Sequence, residues 1–448
     1  YDNELSAETP EDHILCAVQD VDEYRLQYSY YTPTADFQTF RVMQVKEYSG
    51  SIEGGELNYK YGHNETALID HNGNVQIKQF NNYGNVVSVQ DGEGHAQHAD
   101  YTVNDTDETG KANQLKLSSR MQNTVINLIE DSSFETGTEW NEDLNVSTDI
   151  VENVRYLGGK SLRLSLPVIG QTAGAYTTIA PEANTTYTFS AYVKSGDAPV
   201  YLSLGTESNI NKSSTLEADS DWTRLEVSYT TTSTSQLYAY VKGEGAGHLH
   251  IDCVQLEQAP TASRYNLVQN GDFRTESGWT SATGTATYVA PMDDEGMNEL
   301  PSAAPQMTNV GCKIVGNPAE QKRVSQTITV SGNGGDNFVL TGWAKGDSAP
   351  LPEAEDGENQ RHFSLIGTFN YTDETTSAPF VAKFNPDTNV ADSWQYVAKV
   401  MVAEKEYQSI TVEIAYDYNI NEVYFDGIQL FKEQFGSSYT YDEDGNVT

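Results

Sequence analysis

The sequence has few cysteines and few basic residues, and these two shortages exclude several classes of protein. Cys16, Cys253 and Cys312 are the only cysteines among 448 residues. They are too few and too far apart for a disulfide framework or a cysteine-rich zinc site. The 26 Lys and Arg residues stand against 65 Asp and Glu residues, for a net charge of −39. Because that charge repels phosphate backbones, we expect no nucleic acid partner.

Long apolar runs and catalytic motifs are also missing. A membrane-spanning helix needs about 18 consecutive apolar residues, and no such run occurs, so we predict no membrane span in this sequence. The chain opens on Tyr1 without Met or a signal-like apolar stretch, which indicates a piece of a longer protein. It contains neither a Gly-x-Ser-x-Gly nucleophile elbow nor a phosphate-binding loop. We therefore predict that the chain is not an enzyme.

What the sequence does contain is a series of short alternating segments separated by glycine turns. Three such turns lie in residues 56–101: Asp70-x-x-Gly73-Asn74, Asn82-x-Gly84-Asn85 and Asp91-x-x-Gly94. The Asp or Asn at the turn start bonds back to the backbone, and Gly takes the left-handed conformation. This spacing predicts antiparallel hairpins, with His95 and His98 in surface turns. Residues 102–120 are polar and predict a linker.

Two later stretches of the chain repeat one another. "NLIEDSSFETGTEWN" at 127–141 returns as "NLVQNGDFRTESGWT" at 266–280. Three further pairs follow in the same order: "AYVKSGDAP" and "GWAKGDSAP", "SDWTRLEVSYT" and "DSWQYVAKVMV", "LHIDCVQLEQ" and "VYFDGIQLFK". Four matched blocks in one order indicate a duplicated domain, with copies at 121–263 and 264–436.

Within each copy, apolar and polar residues alternate as they do in half-buried antiparallel strands. In "TYTFSAYVK", for example, Phe189, Ala191 and Val193 share one side. No segment shows helical periodicity. We therefore predict an all-β fold made of two tandem β-sandwiches preceded by a region of antiparallel hairpins.

Several aromatic residues lie on the side of the strands opposite the aliphatic residues. Tyr192 and Trp343 occupy the same place in the two copies, and alternation adds Tyr201, Tyr238 and Tyr240 to that side. An exposed ring can stack on the C–H groups of a sugar, which makes these five residues candidates for ligand binding. The alternative is that the rings only cover the outer face or pack under a loop.

The other tryptophans belong to different parts of the repeated blocks. Trp140 and Trp279 lie in the opening phrase, and Trp222 and Trp394 each start a strand. Bulky rings at such positions fill the end of a sandwich. We predict that all four are buried in the cores.

The hairpin region resembles the Rhs/YD-repeat family of bacterial cell-surface proteins. The resemblance rests on the turns of residues 56–101 and on the last eight residues, "YDEDGNVT". It implies that residues 1–120 are a YD-repeat-like hairpin region with its linker, and that 437–448 begin a further repeat. It also implies a bacterial protein that is secreted or associated with the cell wall.

The duplicated domain resembles the carbohydrate-binding modules of the galactose-binding-like superfamily. "NLVQNGDF", "WAKG" and "YFDGIQL" together carry this resemblance. It implies two non-catalytic jelly rolls with a carbohydrate partner, and such modules occur inserted between YD repeats.

The same resemblance implies a structural calcium ion where the opening loop meets the last strand. The corresponding residues are Glu135 and Asp252 in the first copy and Asp426 in the second. The second copy departs from the pattern because Arg274 stands where the first has Glu135, unless Glu276 substitutes. Carboxylate oxygens suit calcium. The alternative is that Asp252 and Asp426 only accept hydrogen bonds from backbone amides in a turn.

These observations favour a monomer that recognises a cell-surface or dietary glycan without catalysis. Two other functions stay open. The sandwiches could be structural spacers or shell segments of a toxin or adhesin with no ligand of their own. Hydrolysis of a polysaccharide is the third alternative, although no catalytic pair of carboxylates is identifiable.

Overall fold

In the computed structural model the alternating segments pair as antiparallel strands, and the described residues contain no helix. It follows that no described helix is long and apolar enough to cross a membrane. The structure describes residues 15–31, 41–62, 64–81, 83–91, 95–102, 114–122, 127–137, 140–143, 145–166, 172–207, 209–282, 284–291, 310–346, 359–385, 394–433, 436–438 and 447. The predicted all-β fold is confirmed.

The hairpin region forms one ten-stranded antiparallel sheet, here called the meander sheet. Nine of its strands follow in chain order: β1 (Ala17–Gln19), β2 (Tyr24–Tyr30), β3 (Val42–Ser49), β4 (Ile52–Tyr61), β5 (Glu65–Asp70), β6 (Val75–Phe80), β7 (Val86–Gln90), β8 (His95–Thr102) and β9 (Gln114–Gln122). The tenth, β30 (Gly436–Ser438), pairs with β9. The prediction of a linker is therefore wrong for residues 114–120, which lie in β9. Most of the predicted further repeat at 437–448 lies outside the described residues.

The turns of the meander sheet use the predicted chemistry. Asp70 Oδ1 accepts hydrogen bonds from the Asn72 and Asn74 amides, both at 2.9 Å, and Gly73 has φ 84°. A left-handed φ of this kind favours glycine. Residues 92–94 of the predicted Asp91 turn lie outside the described part.

The next turn begins one residue earlier than predicted. Asn81, rather than Asn82, starts it, because Asn81 Oδ1 accepts the Tyr83 and Asn85 amides, both at 3.0 Å. Gly84 closes the turn with φ 80°.

The first copy is a sandwich of two five-stranded sheets. Its front sheet has the order β10 (Asn141–Glu142), β13 (Thr172–Ile179), β18 (Leu237–Glu244), β15 (Val200–Thr206) and β16 (Asn209–Lys212). Its back sheet has the order β11 (Ser147–Val151), β12 (Ser161–Leu166), β19 (Gly247–Glu257), β14 (Thr186–Ser195) and β17 (Thr223–Thr230).

The second copy repeats this arrangement strand for strand. Its front sheet has the order β20 (Thr280–Ser281), β23 (Arg323–Gly332), β28 (Tyr407–Ala415), β25 (Ser364–Tyr371) and β26 (Phe380–Lys383). Its back sheet has the order β21 (Ala286–Pro291), β22 (Val310–Val315), β29 (Glu422–Glu433), β24 (Asn337–Gly346) and β27 (Gln395–Val402). The predicted pair of tandem sandwiches is confirmed.

The opening phrase of each copy anchors an aromatic cluster in the core. In the first sandwich, the centroid of Trp140 lies 5.9 Å from that of Phe134 and 6.4 Å from that of Phe189. In the second, Trp279 lies 5.4 Å from Phe273. Both tryptophans are buried, as predicted.

The meander sheet packs against the outer face of the back sheet of the second sandwich. In this docking interface, Trp343 and Tyr396 form one apolar cluster with Ala67 of β5 and Ile77 of β6. The side-chain amide of Asn64 donates a 2.7 Å hydrogen bond to the Tyr396 carbonyl. Apolar burial and a direct hydrogen bond therefore join elements that are far apart in sequence.

A ladder of buried polar side chains runs across the meander sheet beside this cluster. Glu65, Gln79, Ser88 and His98 face one another on four consecutive strands, and each is buried. Gln79 donates a 3.0 Å hydrogen bond to Glu65. Burial raises the pKa of Glu65 to about 7 and lowers that of His98 to about 4. The prediction of His98 in a surface turn is wrong, because its strand lies under the second sandwich.

We expect Glu65→Gln to stabilise the folded protein at pH 8 by roughly 1–3 kcal/mol and to change it little at pH 4.5. The folded pKa lies above the ordinary value of 4.5. The stability that Glu65 contributes is therefore full below pH 4.5 and is lost as the pH rises through 7. The variant keeps an acceptor for Gln79 but carries no charge.

Urea unfolding of both proteins at the two pH values measures this difference. The titration of His98 is common to both proteins and cancels. An effect of equal size at pH 4.5 and pH 8 would contradict the assignment of the pH dependence to Glu65.

Candidate functional site

Three partly exposed tyrosine rings lie together on the outer face of the front sheet of the first sandwich. Tyr176 on β13 lies directly opposite Tyr240 on β18. Tyr238 lies two residues before Tyr240 on β18, and its side chain is on the same face of the sheet. The ring centroid of Tyr176 lies 4.7 Å from that of Tyr240 and 5.7 Å from that of Tyr238. Cross-strand neighbours at such spacing form one contiguous face. We call these three rings the tyrosine surface.

Charged and polar groups border the tyrosine surface. The Tyr238 hydroxyl lies 3.3 Å from Glu207 Oε1, and the Lys242 amine lies 4.1 Å from the centroid of the Tyr240 ring. Lys242 also lies 3.8 Å from the Asp143 carboxylate. Burial, together with the charge of Asp143, raises the pKa of Tyr240 to about 12. Its hydroxyl therefore stays neutral and can donate or accept a hydrogen bond.

Tyr201 lies on the same face as the tyrosine surface but is covered. It is on β15, opposite Lys242 of β18, and its side chain is only 3% exposed. The amine of Lys212 lies 4.4 Å from the centroid of its ring. The exposure predicted for Tyr201 is therefore wrong, because a neighbouring strand supplies a long side chain that covers the ring.

Tyr192 lies on the other side of the sandwich. It is on β14 of the back sheet, where its ring stacks on that of Tyr156 with the centroids 3.7 Å apart. Trp222 lies 6.0 Å from Tyr156 and is partly exposed, so the prediction that Trp222 is buried in the core is wrong. Alternation distinguishes outward from inward residues but not one sheet from the other. The pattern therefore grouped Tyr192 with Tyr238 and Tyr240, whereas the structure places Tyr192 on the back sheet and the other two on the front sheet.

Trp343 is not an exposed platform. Its side chain is 3% exposed and lies in the docking interface under the meander sheet. Trp394 is partly buried beside the same cluster rather than in the sandwich core. The exposure predicted for Trp343 is wrong, because a domain more than 200 residues away in sequence covers the face on which it lies.

The carboxylate of Asp252, a predicted calcium ligand, holds a loop of the first sandwich. Asp252 Oδ2 accepts hydrogen bonds from the Tyr156 and Leu157 amides at 2.9 and 3.0 Å. Its Oδ1 accepts one from the Cys253 amide at 2.7 Å. Burial raises the pKa of Asp252 to about 7 despite these hydrogen bonds.

Glu135, the second predicted ligand, binds the same loop two residues further on. Its Oε1 accepts hydrogen bonds from the Gly159 amide at 2.7 Å and from the Lys160 amide at 3.1 Å. Both predicted ligands in the first copy are thus engaged by backbone amides. Each carboxylate oxygen has two lone pairs, and two amides already bind each of Asp252 Oδ2 and Glu135 Oε1. A calcium ion there would therefore bind through Asp252 Oδ1 and Glu135 Oε2.

The corresponding place in the second copy has a different charge arrangement. Asp426 is buried, and its Oδ2 accepts no hydrogen bond from a described residue. Nearby, Arg274 Nε lies 2.5 Å from Asp272 Oδ2, so a guanidinium supplies positive charge where the first copy has Glu135. Burial raises the pKa of Asp426. The part of the chain that the structure describes contains no group of three or more His, Cys, Asp or Glu placed to hold a metal ion.

Two residues of these sites were missed in the sequence. Tyr176 follows the same alternation as Tyr238 in "TAGAYTTI" and could have been found by extending that pattern to β13. Tyr156 lies in the loop between β11 and β12. A loop has no periodicity from which the direction of a side chain could be predicted.

A known family model matches the segment that carries the tyrosine surface. Residues 126–247 match the family model of a carbohydrate binding domain. A carbohydrate binding domain is a non-catalytic module, and here the match contains Tyr176, Tyr238 and Tyr240. Asp252 lies just outside it.

The chain is also similar to longer proteins. It is 25% identical over 389 residues to the tRNA nuclease WapA of Bacillus subtilis strain 168 and to the tRNA3(Ser)-specific nuclease WapA of Bacillus spizizenii. In both cases the match covers 77% of this chain and 16% of the relative. The chain thus spans about one sixth of the length of these curated relatives.

Two solved structures are similar to parts of the chain. The CBM22-1-CBM22-2 tandem domain of Paenibacillus barcinonensis Xyn10C matches with 16% identity and a TM-score of 0.27, covering 69% of this chain and 98% of that one. The CBM22-1 xylan-binding domain of the same protein matches with 20% identity and a TM-score of 0.27, covering 31% of this chain and 99% of that one.

Proposed function

We propose that the first sandwich binds a glycan on the tyrosine surface. The observation that carries this proposal is the cluster of three partly exposed rings on one sheet face, inside the segment that matches a carbohydrate binding domain. Sugar rings present apolar C–H faces that stack on aromatic side chains. Glu207, Asp143 and Lys242 border the rings and can hydrogen-bond sugar hydroxyls.

The second sandwich supports a different role. On the outer face of its front sheet, the place of the tyrosines is taken by small polar residues such as Thr327, Thr368 and Thr411, which face one another across the strands. Its back sheet is covered by the meander sheet through Trp343. We therefore propose that the second sandwich is a structural spacer between the glycan-binding sandwich and the meander sheet.

The wider setting of the chain is also a proposal. The similarity to WapA nucleases and the glycine-turn hairpins support a segment of a bacterial YD-repeat protein that is secreted or associated with the cell wall. In such a protein we propose a non-catalytic and monomeric role for this chain. Its net charge of −39 supports the absence of direct contact with tRNA. Calcium binding by Glu135 and Asp252 is proposed for the first sandwich only.

Replacement of both Tyr238 and Tyr240 by alanine tests glycan binding. We expect the affinity to fall about tenfold to a hundredfold, because each stacked ring contributes roughly 0.5–1.5 kcal/mol beyond its buried area. Both rings are partly exposed, so the fold should persist. A glycan array on the full chain first identifies a ligand, and calorimetry then measures its affinity for both proteins.

Thr411→Ala is the matched control, because Thr411 lies on the outer face of the front sheet of the second sandwich, which corresponds to the face that carries the tyrosine surface in the first. We expect it to leave the affinity unchanged. Two results would overturn the proposal: the absence of binding to any glycan on the array, or an unchanged affinity in a correctly folded double variant.

A further inference from the structure

A cleft lies on the back of the first sandwich, away from the tyrosine surface. It has a volume of about 460 Å³ and lies where the loop of residues 152–160 meets β23 of the second sandwich. Its lining includes Arg155, Tyr156, Lys194 and Trp222 of the first sandwich and Ser331 of the second. Glycan binding on the front sheet makes no use of this cleft.

The charge of the cleft lining is opposite to that of the chain. The lining residues include two cations, Arg155 and Lys194, and no carboxylate, although acidic residues outnumber basic ones by 65 to 26 in the sequence. Lys194 forms an ion pair of 2.5 Å with Asp221, whose side chain is 85% exposed. Such an exposed pair contributes little, so an anionic ligand can compete for the lysine. Among the described residues, Arg155 forms no ion pair.

The aromatic part of the cleft suits a flat apolar face. Tyr156 is 39% exposed although one face of its ring is stacked on Tyr192, with 13° between the ring planes. Trp222 stands at 59° to Tyr156. The two lining rings therefore form a corner beside the cations. A ring that stacks in this corner would bring a negatively charged substituent close to Lys194 and Arg155.

The loop that builds the cleft is held in place before any ligand arrives. Asp252 accepts the amides of Tyr156 and Leu157, and Glu135 accepts those of Gly159 and Lys160. Fixing a binding loop in advance lowers the entropic cost of binding. Asp252 and Glu135 thus support this loop rather than the tyrosine surface.

We propose that this cleft is a second saccharide site, specific for a sugar that carries a carboxylate or phosphate group. The sugar ring stacks on Trp222 and Tyr156, and the acidic group pairs with Lys194 and Arg155. Pairing of a cation with an anion gives charge-assisted hydrogen bonds, which are about twice as strong as neutral ones. The site is separate from the tyrosine surface in both position and ligand charge.

The test measures binding of two acidic probes and their uncharged partners to the full chain by calorimetry. Trigalacturonate is paired with its methyl ester, and glucose 6-phosphate is paired with glucose. We expect at least one acidic probe to bind about tenfold or more tightly than its partner. The pair that shows the difference tells whether carboxylate or phosphate is the preferred group.

Variants assign the binding to the cleft. The double variant Arg155→Gln and Lys194→Gln should lose the preference for the acidic probe, and Trp222→Ala should weaken binding of both members of the pair. Lys405→Gln is the matched control, because Lys405 forms a similar exposed ion pair with Asp373 on the second sandwich. The Tyr238→Ala and Tyr240→Ala variant should bind the acidic probe normally, whatever its effect on other glycans.

Three results would overturn the inference. The first is equal binding of the acidic and uncharged partners, and the second is an equal effect of Lys405→Gln. The third is the absence of binding of both acidic probes. None of them bears on the tyrosine surface.

Discussion

Trp343→Ala is expected to lower the free energy of unfolding by about 3–5 kcal/mol, which is the usual cost of removing a large aromatic ring from a packed site. The Trp343 ring is 3% exposed and lies 5.2 Å from that of Tyr396. It also contacts the cluster formed with Ala67 and Ile77 of the meander sheet. Its loss leaves a cavity between two domains, so the meander sheet should detach from the second sandwich before either domain unfolds. Differential scanning calorimetry would show this as a separate transition at lower temperature.

Trp343→Phe distinguishes packing from any other function of the ring. The indole Nε1 of Trp343 has no hydrogen-bond partner among the described residues. Phenylalanine keeps most of the contact area of the ring. It also removes the buried N–H donor, which has no acceptor in the described part of the folded protein. We expect the free energy of unfolding of this variant to lie within about 1.5 kcal/mol of that of the wild-type protein. If Trp343→Ala abolished glycan binding and left the calorimetric transitions unchanged, the assignment of Trp343 to a docking role would be wrong.

Asp252→Ala is expected to lower the free energy of unfolding by about 2–4 kcal/mol, because it removes the acceptor of three backbone amides. The amides are those of Tyr156, Leu157 and Cys253. The loss should be larger at pH 5 than at pH 8. The pKa of Asp252 is about 7 in the folded protein against an ordinary value of 3.8. Its contribution is therefore full below pH 3.8 and declines as the pH rises through 7.

Asp149→Ala is the matched control for Asp252→Ala. Asp149 lies on the same back sheet in an exposed ion pair with Arg163, and such a pair contributes at most about 1 kcal/mol. Urea unfolding at both pH values measures the two variants. The same experiment tests calcium. If Asp252 held calcium, a chelator would lower the stability of the wild-type protein alone, and the loss on mutation would be larger at pH 8, where protons do not compete with the metal.

The parts of the fold that depend on neighbours in sequence could be predicted. Asp70 and Gly73 determine their turn by local hydrogen bonding and backbone conformation, and the strand sequences alternate because each strand has one buried face. The duplication located both sandwiches, because two copies of one sequence pattern fold in the same way. Even here Asn81 replaced Asn82 as the turn start, since consecutive asparagines carry the same side-chain chemistry.

The parts that depend on distant contacts could not be predicted. Alternation places Tyr192, Tyr238 and Trp343 on outer faces, but it does not tell which sheet each belongs to or what covers it. Trp343 is buried by Ala67 and Ile77, which lie in another domain. Trp222 follows a turn and borders a cleft, although its counterpart Trp394 packs beside the docking interface. Burial at such positions is decided by the arrangement of domains rather than by the pattern of a strand.

The pairing of β9 with β30 has a mechanical consequence. Ser119 lies opposite Gly436, so the chain leaves the meander sheet and returns to it on adjacent strands, about 4.8 Å apart. Tension applied along the chain before β9 and after β30 passes through the hydrogen bonds between these two strands. Both sandwiches lie outside that path, as a side branch of the sheet. A pull on the chain would therefore leave the tyrosine surface in its folded shape. A load on a bound glycan would be carried to the sheet through this pair of strands and through the docking interface.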